Sequence, residues 1–379
     1  MPRLPPILLS RAARIDRHLP LLLRECRDLD SARNELRWLR EAIDEQPNRQ
    51  IDRRTSTGHT QYKNVYDQTL VGFVKRRARG EPLQYILGAQ PFGKLEIQCR
   101  PGVLIPRPET ETYTTELARI IQKLQVHAKS RYLSIVDFCT GTGCIALLLH
   151  AILKPYRPVE HHDDLQLQIR AFDISDHALS LSSENIHHNL KLNTLHKDGP
   201  KDISIECLDV LALAQQPRDK ILSTLCHRSS NGPSQSLDII ISNPPYISPQ
   251  QYKPGGTTTK SVRDFEPKLA LVPPESLVYD NVDRADQFYA ALLHIAIATK
   301  VKLLVMEVGD TEQALRVKNL CMKCKETWVE VWNDDSDVVI DASPGLDACS
   351  QHEDSISARV VAVWFDSKWT KWRKANLSM

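Results

Sequence analysis

The sequence contains no run of the roughly 18 to 20 consecutive apolar residues that a membrane-spanning helix needs. Its best apolar segments, Ile145–Leu149 and Val301–Met306, have the length of core elements. An excess of one charge is also missing, because 49 lysines and arginines face 47 aspartates and glutamates and leave a net charge of +2. That charge gives no global electrostatic argument for a nucleic-acid partner. The composition therefore predicts a soluble globular protein that needs no membrane.

The cysteines do not form the pattern of a disulfide framework. There are nine of them, an odd and scattered set, which fits a reducing compartment. Cys321 and Cys324 form a C-x-x-C pair, and Cys349 with His352 forms a C-x-x-H pair, so these four side chains are of the types that bind zinc. The first pair falls in a helix-like run and the second in a polar loop. Free thiols are therefore the preferred interpretation, and we expect no metal.

The amino-terminal segment is basic and lacks acidic residues. It carries Arg3, Arg11 and Arg14, and no aspartate or glutamate precedes Asp16. This composition is typical of a mitochondrial transit segment. The alternative is a basic lead-in to the folded protein, since Leu21–Leu23 continue directly into a helical pattern. Composition alone leaves both interpretations open.

The first part of the chain is predicted to be helical. Apolar residues recur at helical spacing through Leu21–Leu39 and again through Tyr66–Val74. Between residues 81 and 111, apolar residues alternate with four prolines, as in short strands and tight turns. We therefore predict a helical domain over residues 1–80, a β-hairpin-like linker over 81–111 and an α/β domain over 112–379.

From Arg131 the pattern alternates between strands and helices, which predicts βαβ units and a doubly wound, Rossmann-like sheet. The expected strands are Tyr132–Phe138, Gln168–Asp173, Ile203–Cys207, Leu237–Ser242, Val301–Val308, Trp328–Trp332 and Ala358–Trp364. The expected helices are Gly143–Leu153, Asp176–Leu190, Asp286–Ala298 and Thr311–Lys325. Three polar segments are expected to be surface insertions: Tyr156–Leu165, Ala214–Ser236 and Asn333–Ser355.

A glycine-containing turn follows the first of these strands. Such a strand–turn–helix unit lets the backbone approach a cofactor at the carboxyl end of the strand. Ala146 occupies the third place of a dinucleotide fingerprint, so the turn alone does not exclude a nicotinamide cofactor. S-adenosylmethionine carries no phosphate and suits a turn without the third glycine at least as well. The predicted cofactor-binding residues here are Asp137, Cys139, Thr140, Gly141, Thr142 and Gly143.

Acidic residues end the next two strands. Asp173 can accept hydrogen bonds from both ribose hydroxyls of a bound nucleoside, although it can also cap the following helix. Asp209 follows the third strand, at a natural place for a contact to an adenine amino group, and Val210 comes next. We predict that all three residues contribute to the cofactor site.

The most informative tetrapeptide, Asn243-Pro244-Pro245-Tyr246, follows the fourth strand. The two prolines stiffen the turn. The Asn243 side-chain oxygen and the Pro244 carbonyl can each accept one N–H of a planar amide or amino group, and Tyr246 can lie on its flat face. An amide nitrogen is a poor nucleophile because its lone pair is delocalised, so positioning is the expected source of the rate. These four residues are the predicted catalytic and substrate-binding group, and Asn243 also borders the methyl donor.

The sequence resembles the HemK/PrmC family of protein-glutamine methyltransferases, which modify the Gly-Gly-Gln glutamine of peptide-chain release factors. The resemblance covers residues 70 to 365 and is carried by Gly80–Tyr85 through Leu104–Glu111, Asp137–Leu149 and Ser242–Ile247. Weaker echoes occur at Phe265–Pro267 through Leu271, Met306–Gly309 and Ala358–Val363. Two departures stand out: Cys139 replaces the family's usual glycine, and Val210 stands where bacterial members often have an aromatic residue.

The resemblance implies S-adenosylmethionine as methyl donor and a release factor as protein substrate. It also implies that the segment around Ile105–Glu111 borders the active site, with Arg107 and Glu109 as substrate-binding residues. The helical domain would bind the release factor, and its presence points to the mitochondrial branch, with the matrix as the expected location and the cytoplasm as runner-up. We expect a monomer. The alternative activity is an adenine amino-methyltransferase acting on DNA or RNA, because the Asn-Pro-Pro-Tyr motif also occurs there.

Overall fold

The computed structural model describes residues 4–45, 56–128, 132–155, 165–225, 237–275, 279–324, 327–336, 338–341 and 357–377. The chain divides into two compact units. The first consists of Met1–Gln90, Cys99–Pro101 and Thr258–Glu266, and the second of Pro91–Gln98, Gly102–Thr257 and Pro267–Met379. The predicted division into segments 1–80, 81–111 and 112–379, with the roles assigned to them, remains a prediction.

The first unit is helical, as the apolar spacing predicted. Its helices are α1 (Pro6–Ile15), α2 (Leu19–Cys26), α3 (Leu29–Glu45), α4 (Ser56–Arg77) and α5 (Leu83–Leu87). A continuous apolar core joins them, and it includes the fully buried Leu19, Leu22 and Leu39. Within the basic amino-terminal segment, Pro6–Ile15 form α1, and Ala12 is buried in this core. The transit and lead-in interpretations of the segment both remain predictions.

The short strands expected between residues 81 and 111 are present as β1 (Ala89–Phe92) and β2 (Leu95–Gln98), which form a two-stranded sheet. Asparagines of a later helix hold β2 by its backbone. Asn185 accepts the N–H of Gln98 at 2.8 Å, and Asn189 accepts the N–H of Glu96 at 3.0 Å.

The second unit contains an eight-stranded sheet in the order β5-β4-β3-β6-β7-β10-β8-β9. The first five of these strands are parallel, and β10, β8 and β9 are added antiparallel. The strands are β3 (Tyr132–Phe138), β4 (Gln166–Asp173), β5 (Ile203–Cys207), β6 (Ile239–Ser242), β7 (Leu303–Glu307), β8 (Trp328–Asn333), β9 (Val338–Asp341) and β10 (Ala358–Trp364). The predicted doubly wound, Rossmann-like fold is confirmed.

Helices cover both faces of this sheet. The further helices in the described residues are α6 (Pro108–Ala128), α7 (Cys144–Leu153), α8 (Asp176–Lys191), α9 (Gly199–Asp202), α10 (Val210–Ala214), α11 (Arg218–Leu225), α12 (Pro249–Tyr252), α13 (Lys260–Phe265), α14 (Gln287–Thr299), α15 (Thr311–Met322) and α16 (Ser367–Ala375). Of these, α13 belongs to the first unit. One apolar core joins α6, α7, α8 and α16 to the sheet, and another joins α10, α11, α14 and α15 to its opposite face. Burial on both faces explains why β3, β6 and β7 are almost uninterrupted apolar runs.

The chain order reverses between β3 and β6, because β4 and β5 lie on one side of β3 while β6 and β7 lie on the other. In an open α/β sheet, ligands bind at the carboxyl ends of the strands beside such a switch point. The fold therefore places the glycine-containing turn after β3 and the Asn-Pro-Pro-Tyr turn after β6 at one edge of the sheet.

Two of the expected surface insertions contain regular structure. Within 214–236 the chain forms α11, and Ile221 and Leu225 are buried one helical turn apart, so the prediction of a surface insertion was wrong for this helix. Within 333–355, β9 pairs antiparallel with β8. Residues 156–164, 226–236 and 342–356 lie outside the described residues, and with them Cys349 and His352 of the considered zinc set.

No helix in the part of the chain that the structure describes is long and apolar enough to cross a lipid bilayer. Within the same ranges, histidine, cysteine, aspartate and glutamate side chains form no group of three that would hold a metal ion.

Candidate active site

A cavity of about 310 Å³ opens at the carboxyl ends of β3, β4 and β6, and residues of the second unit alone line it. Its wall includes parts of the glycine-containing turn, of the segments that end β4 and begin α10, and of the Asn-Pro-Pro-Tyr turn. The volume lies at the small end of the range for small-molecule sites, about 300–1,000 Å³. Most of the predicted site residues lie on the wall of this cavity.

The turn after β3 is tightly wound. Cys139, Gly141 and Gly143 all have left-handed backbone angles, with φ of 60°, 57° and 79°. A Cβ on Gly143 would approach Leu147 Cδ1 at 2.9 Å and Ser182 Cβ at 3.0 Å, so close packing against α7 and α8 requires glycine there. A Cβ on Gly141 would meet nothing within 4 Å, which leaves room for a ligand against the backbone.

The predicted cofactor residues of this turn are divided between the cavity wall and the interior. Cys139, Thr140, Gly141 and Thr142 line the cavity, whereas Asp137 and Gly143 do not. The Thr140 hydroxyl donates to Asp137 Oδ2 at 2.6 Å. Burial raises the pKa of the fully buried Asp137 carboxyl to about 7, partly opposed by that hydrogen bond. The structure thus places Asp137 behind the turn, where it supports Thr140.

Cys139 allows a test of backbone strain. A residue other than glycine at φ 60° raises the free energy of the folded state by roughly 1–2 kcal/mol. We expect Cys139→Gly to remove this strain while adding some unfolded-state entropy, for a net gain of about 0.5–1 kcal/mol in the free energy of unfolding. Cys139→Ala keeps the strained Cβ and serves as the control. Denaturant unfolding of the three proteins measures this, and a glycine variant less stable than the alanine variant would contradict it.

Asp173 lies on the cavity wall at the end of β4. Its Oδ2 accepts the N–H of Gly141 at 2.9 Å, and its Oδ1 accepts the N–H of Ser175 at 2.9 Å. Burial raises the pKa of this carboxyl, and the backbone N–H groups oppose that shift. Ser175 is the N-cap residue of α8, which begins at Asp176, so Asp173 is not the cap itself. Each oxygen retains acceptor capacity that ribose hydroxyls can use.

Asp209 and Val210 also line the cavity. Asp209 is the N-cap of α10, and its Oδ1 accepts the N–H groups of Leu211 at 2.9 Å and Ala212 at 3.1 Å. This capping role was not foreseen, although an aspartate directly before an apolar helical run is its usual signal. The cap fixes the orientation of the carboxylate, and a contact to adenine would use the other oxygen.

The Asn-Pro-Pro-Tyr turn is anchored from both sides. Asn243 and Pro245 line the cavity, but Pro244 and Tyr246 do not. The Tyr246 hydroxyl donates to Glu307 Oε1 at 3.3 Å, and the Tyr246 carbonyl accepts from Gln313 Nε2 at 3.2 Å. In this arrangement Tyr246 braces the turn, and the predicted stacking on an acceptor group remains a prediction.

Gly309 lies against the same tyrosine. A Cβ at Gly309 would approach Tyr246 Cδ2 at 3.0 Å, so the ring packs directly on the glycine backbone. The weak resemblance at Met306–Gly309 thereby acquires a physical meaning, because Glu307 and Gly309 both contact Tyr246.

Two buried polar residues of the site were missed at the level of the sequence. Thr110 lies on the cavity wall in the first turn of α6, and its hydroxyl donates to Glu307 Oε2 at 2.6 Å. Asn243 Nδ2 in turn donates to Thr110 Oγ1 at 3.4 Å. Glu307 ends β7 with 2% of its surface exposed, and burial raises its pKa to about 7. A glutamate that ends an apolar strand was the available signal.

The structure separates Arg107 from Glu109. Arg107 lines the cavity, and its positive charge partly opposes the rise in the pKa of Tyr246 that burial causes. Glu109, in the first turn of α6, lies outside the cavity wall, where its charge helps to raise the pKa of Glu307. Substrate binding by either residue remains a prediction.

Comparison with known proteins identifies the family to which the chain belongs. No family model matches the sequence. Among curated relatives, the probable MRF1 mitochondrial N(5)-glutamine methyltransferase mtq1 of Schizosaccharomyces pombe is 34% identical over 260 residues, which are 68% of this chain and 73% of the relative. The mitochondrial MRF1 N(5)-glutamine methyltransferase MTQ1 of Saccharomyces cerevisiae is 33% identical over 317 residues, 83% of this chain and 78% of the relative.

The release factor glutamine methyltransferase of Pasteurella multocida is 30% identical over 263 residues, 68% of this chain and 72% of the relative. A solved structure of the METTL16 catalytic domain has a TM-score of 0.44 at 14% identity, covering 78% of this chain and 82% of that one. The chain belongs to the HemK/PrmC family of S-adenosylmethionine-dependent glutamine methyltransferases.

Proposed function

We propose that the protein methylates the side-chain amide nitrogen of the glutamine in the Gly-Gly-Gln motif of a peptide-chain release factor. The observation that carries this proposal is that Asn243 and Asp173 lie on the wall of one cavity. They stand at the carboxyl ends of β6 and β4, the two strands that flank β3. One residue suits an amide acceptor and the other suits a nucleoside. The names of the curated relatives, which are glutamine methyltransferases, support the same chemistry.

The cavity fits S-adenosylmethionine. That cofactor, when bound, supplies a methyl group attached to a positively charged sulfur. Asp173 offers acceptor oxygens for the ribose, Gly141 leaves open space beside its Cα, and Asp209 is held in place by its capping bonds. A nicotinamide cofactor is not favoured, since hydride transfer has no use for the Asn-Pro-Pro-Tyr turn.

The residues of the chain act by positioning the acceptor. The Asn243 side-chain oxygen and the Pro244 carbonyl accept the two N–H groups of the glutamine amide. Holding both protons disfavours delocalisation of the nitrogen lone pair into the carbonyl and aims it at the methyl group. The bound cofactor would supply its methyl group to this nitrogen, with an N–C bond formed as the S–C bond breaks, and the nitrogen would release one proton to solvent. No side-chain base of histidine or lysine type is needed for this step.

The second candidate activity is methylation of an adenine amino group in DNA or RNA, because the same turn can hold any planar N–H₂ group. The curated relatives are named as glutamine methyltransferases, which favours the protein substrate. Tritiated methyl donor offered with a release factor and with RNA separates the two activities. The proposal expects the label in protein, and label in RNA alone would contradict it.

We further propose a mitochondrial location, in the matrix rather than the cytoplasm, since the two yeast relatives carry mitochondrial names. The substrate would then be a mitochondrial release factor. We also propose that the enzyme works as a monomer without nucleic acid. Fluorescence imaging of the tagged full-length chain tests the location, and light scattering tests whether the protein is a monomer. Methyl transfer by the nuclease-treated protein to a mitochondrial release factor tests the substrate and the independence from nucleic acid.

The helical unit is proposed to recognise the protein substrate, because a lone glutamine side chain offers too few contacts for a selective enzyme. Trp38 on α3 is 41% exposed, with the Arg37 guanidinium carbon 5.9 Å from its ring centroid. Tryptophan and arginine are the residues most enriched at binding hot spots.

We expect Trp38→Ala to raise KM for a whole release factor by about 10- to 30-fold, as loss of a hot spot of about 2 kcal/mol would do. The KM for a short Gly-Gly-Gln peptide should not change. Leu315→Ala is a matched control, because Leu315 is also 41% exposed but lies on α15 of the second unit. Steady-state kinetics on both substrates measure this, and an unchanged KM for the whole release factor would refute the role of this face.

A further inference from the structure

A chain of buried hydrogen bonds connects β7 to the cavity. Glu307 Oε2 accepts the hydroxyl hydrogen of Thr110 at 2.6 Å, and Thr110 Oγ1 accepts Asn243 Nδ2 at 3.4 Å. Glu307 and Thr110 are each 2% exposed, so water has little access to compete for these bonds. The chain ends at the residue proposed to hold the acceptor amide.

The hydrogen bonds between Glu307, Thr110 and Asn243 have a fixed donor-to-acceptor direction. An ionised carboxylate only accepts hydrogen bonds, and a hydroxyl has a single hydrogen to donate. Once Thr110 gives that hydrogen to Glu307, its oxygen can only accept from Asn243. The amide of Asn243 must then present its nitrogen to Thr110 and its oxygen in the opposite direction. An asparagine amide is otherwise nearly symmetric in shape, so its orientation is set by its partners.

We propose that Glu307 and Thr110 are positioning residues that fix the amide orientation of Asn243, so that its oxygen accepts from the substrate. This inference rests on the proposed function, since it assigns the two residues to the holding of an amide N–H group. With the opposite orientation, the Asn243 N–H₂ group would face the N–H₂ group of the substrate. Two donors would then meet, and the acceptor would not be held.

The same glutamate braces the other end of the turn. Its Oε1 accepts the Tyr246 hydroxyl at 3.3 Å, while its backbone carbonyl accepts the Tyr289 hydroxyl at 2.9 Å. Gln313 holds the Tyr246 carbonyl at 3.2 Å and accepts the Gly309 N–H at 2.8 Å. One carboxylate therefore contacts the first residue of the tetrapeptide through Thr110 and the last residue directly.

The inference predicts a dependence on pH. Burial raises the pKa of Glu307 to about 7, and hydrogen bonds from Thr110, Tyr113 and Tyr246 oppose this. A protonated Glu307 can donate to Thr110, which reverses the direction of the chain. The single-turnover rate should therefore be low below about pH 7 and should rise as the pH increases through that value. Among the described residues, the other titratable or charged groups around this cluster include Cys144, Glu109, Arg107, Arg359, Tyr289 and Asp137. Burial raises the pKa of Asp137 to about 7 as well, so the loss of the titration in Glu307→Gln is what assigns it to Glu307.

The test compares three variants of the full-length enzyme in single-turnover methyl transfer to a release factor carrying a Gly-Gly-Gln motif. Thr110→Val removes the hydroxyl at constant size, and Glu307→Gln allows donation to Thr110. Each should lower the rate by about 100-fold, as a misplaced reacting group does. Thr110→Ser keeps the hydroxyl and should restore the rate to within a few-fold of wild type. Calorimetry should show an unchanged affinity for S-adenosylmethionine in all three.

A pH profile separates positioning from a general loss of structure. The wild-type rate should titrate near pH 7, and Glu307→Gln should lose that titration. Near-normal rates in Thr110→Val, or equal losses in Thr110→Val and Thr110→Ser, would overturn the inference while leaving the proposed function intact. If the wild-type enzyme transfers no methyl group to the release factor, the proposed function fails, and the inference fails with it.

Discussion

Asn243→Ala is expected to abolish methyl transfer while leaving the affinity for S-adenosylmethionine nearly unchanged. Asn243 lies on the cavity wall after β6, and its proposed task is to accept a hydrogen bond from the substrate amide. Loss of one positioned partner of a reacting group costs about 3 kcal/mol or more, which is a 100- to 1,000-fold loss of rate. The loss should fall on the chemical step, so kcat should decline far more than KM rises.

Single-turnover kinetics at saturating methyl donor measure this loss, and calorimetry measures the affinity for the donor. A thermal unfolding curve close to that of the wild type serves as the control for folding. Near-normal turnover by the alanine variant would refute the role assigned to the Asn-Pro-Pro-Tyr turn.

Asp173→Ala is expected to weaken S-adenosylmethionine binding by about 100-fold. The substitution would remove the two charge-assisted hydrogen bonds that we propose Asp173 makes to the ribose, worth roughly 1.5–3 kcal/mol each before the aspartate's own desolvation is counted. It also releases the N–H groups of Gly141 and Ser175, which Asp173 holds at 2.9 Å. Asp173→Asn keeps an acceptor oxygen for one of these groups and should lose less affinity than the alanine variant.

Calorimetric titration of the three purified proteins decides this second prediction. If Asp173→Ala bound the cofactor with an unchanged Kd but unfolded more easily, Asp173 would be a structural support of the turn and of the start of α8. A weaker Kd with an unchanged unfolding temperature would place it in the cofactor site.

Much of the fold could be predicted because its signals are local. β3 and β10 have the predicted bounds, because a mainly apolar run between polar segments leaves little choice of where the strand begins and ends. The turn at Cys139–Gly143 was predicted from its glycines, and the left-handed angle at Cys139 agrees with its departure from the family's glycine. The helix α11 was missed because its two buried residues, Ile221 and Leu225, stand in a short and mostly polar sequence.

The support of the site could not be predicted, because its signals are distant in the sequence. Thr110 and Glu307 are 197 positions apart and contact each other only through the fold. Tyr246 was predicted to face a substrate from its type and position alone. That contact stays a prediction. The hydrogen-bond partners of Tyr246 in the structure, Glu307 and Gln313, come from β7 and α15, and no spacing in the sequence reveals that they converge on one turn.

The measurement that tests the central claim most directly is tandem mass spectrometry of a mitochondrial release factor after incubation with the enzyme and S-adenosylmethionine. The account predicts a single methyl group on the side-chain amide nitrogen of the Gly-Gly-Gln glutamine, absent when Asn243→Ala replaces the wild-type enzyme. An unmodified glutamine under conditions in which the enzyme binds the cofactor, or a methyl group on another residue, would contradict it.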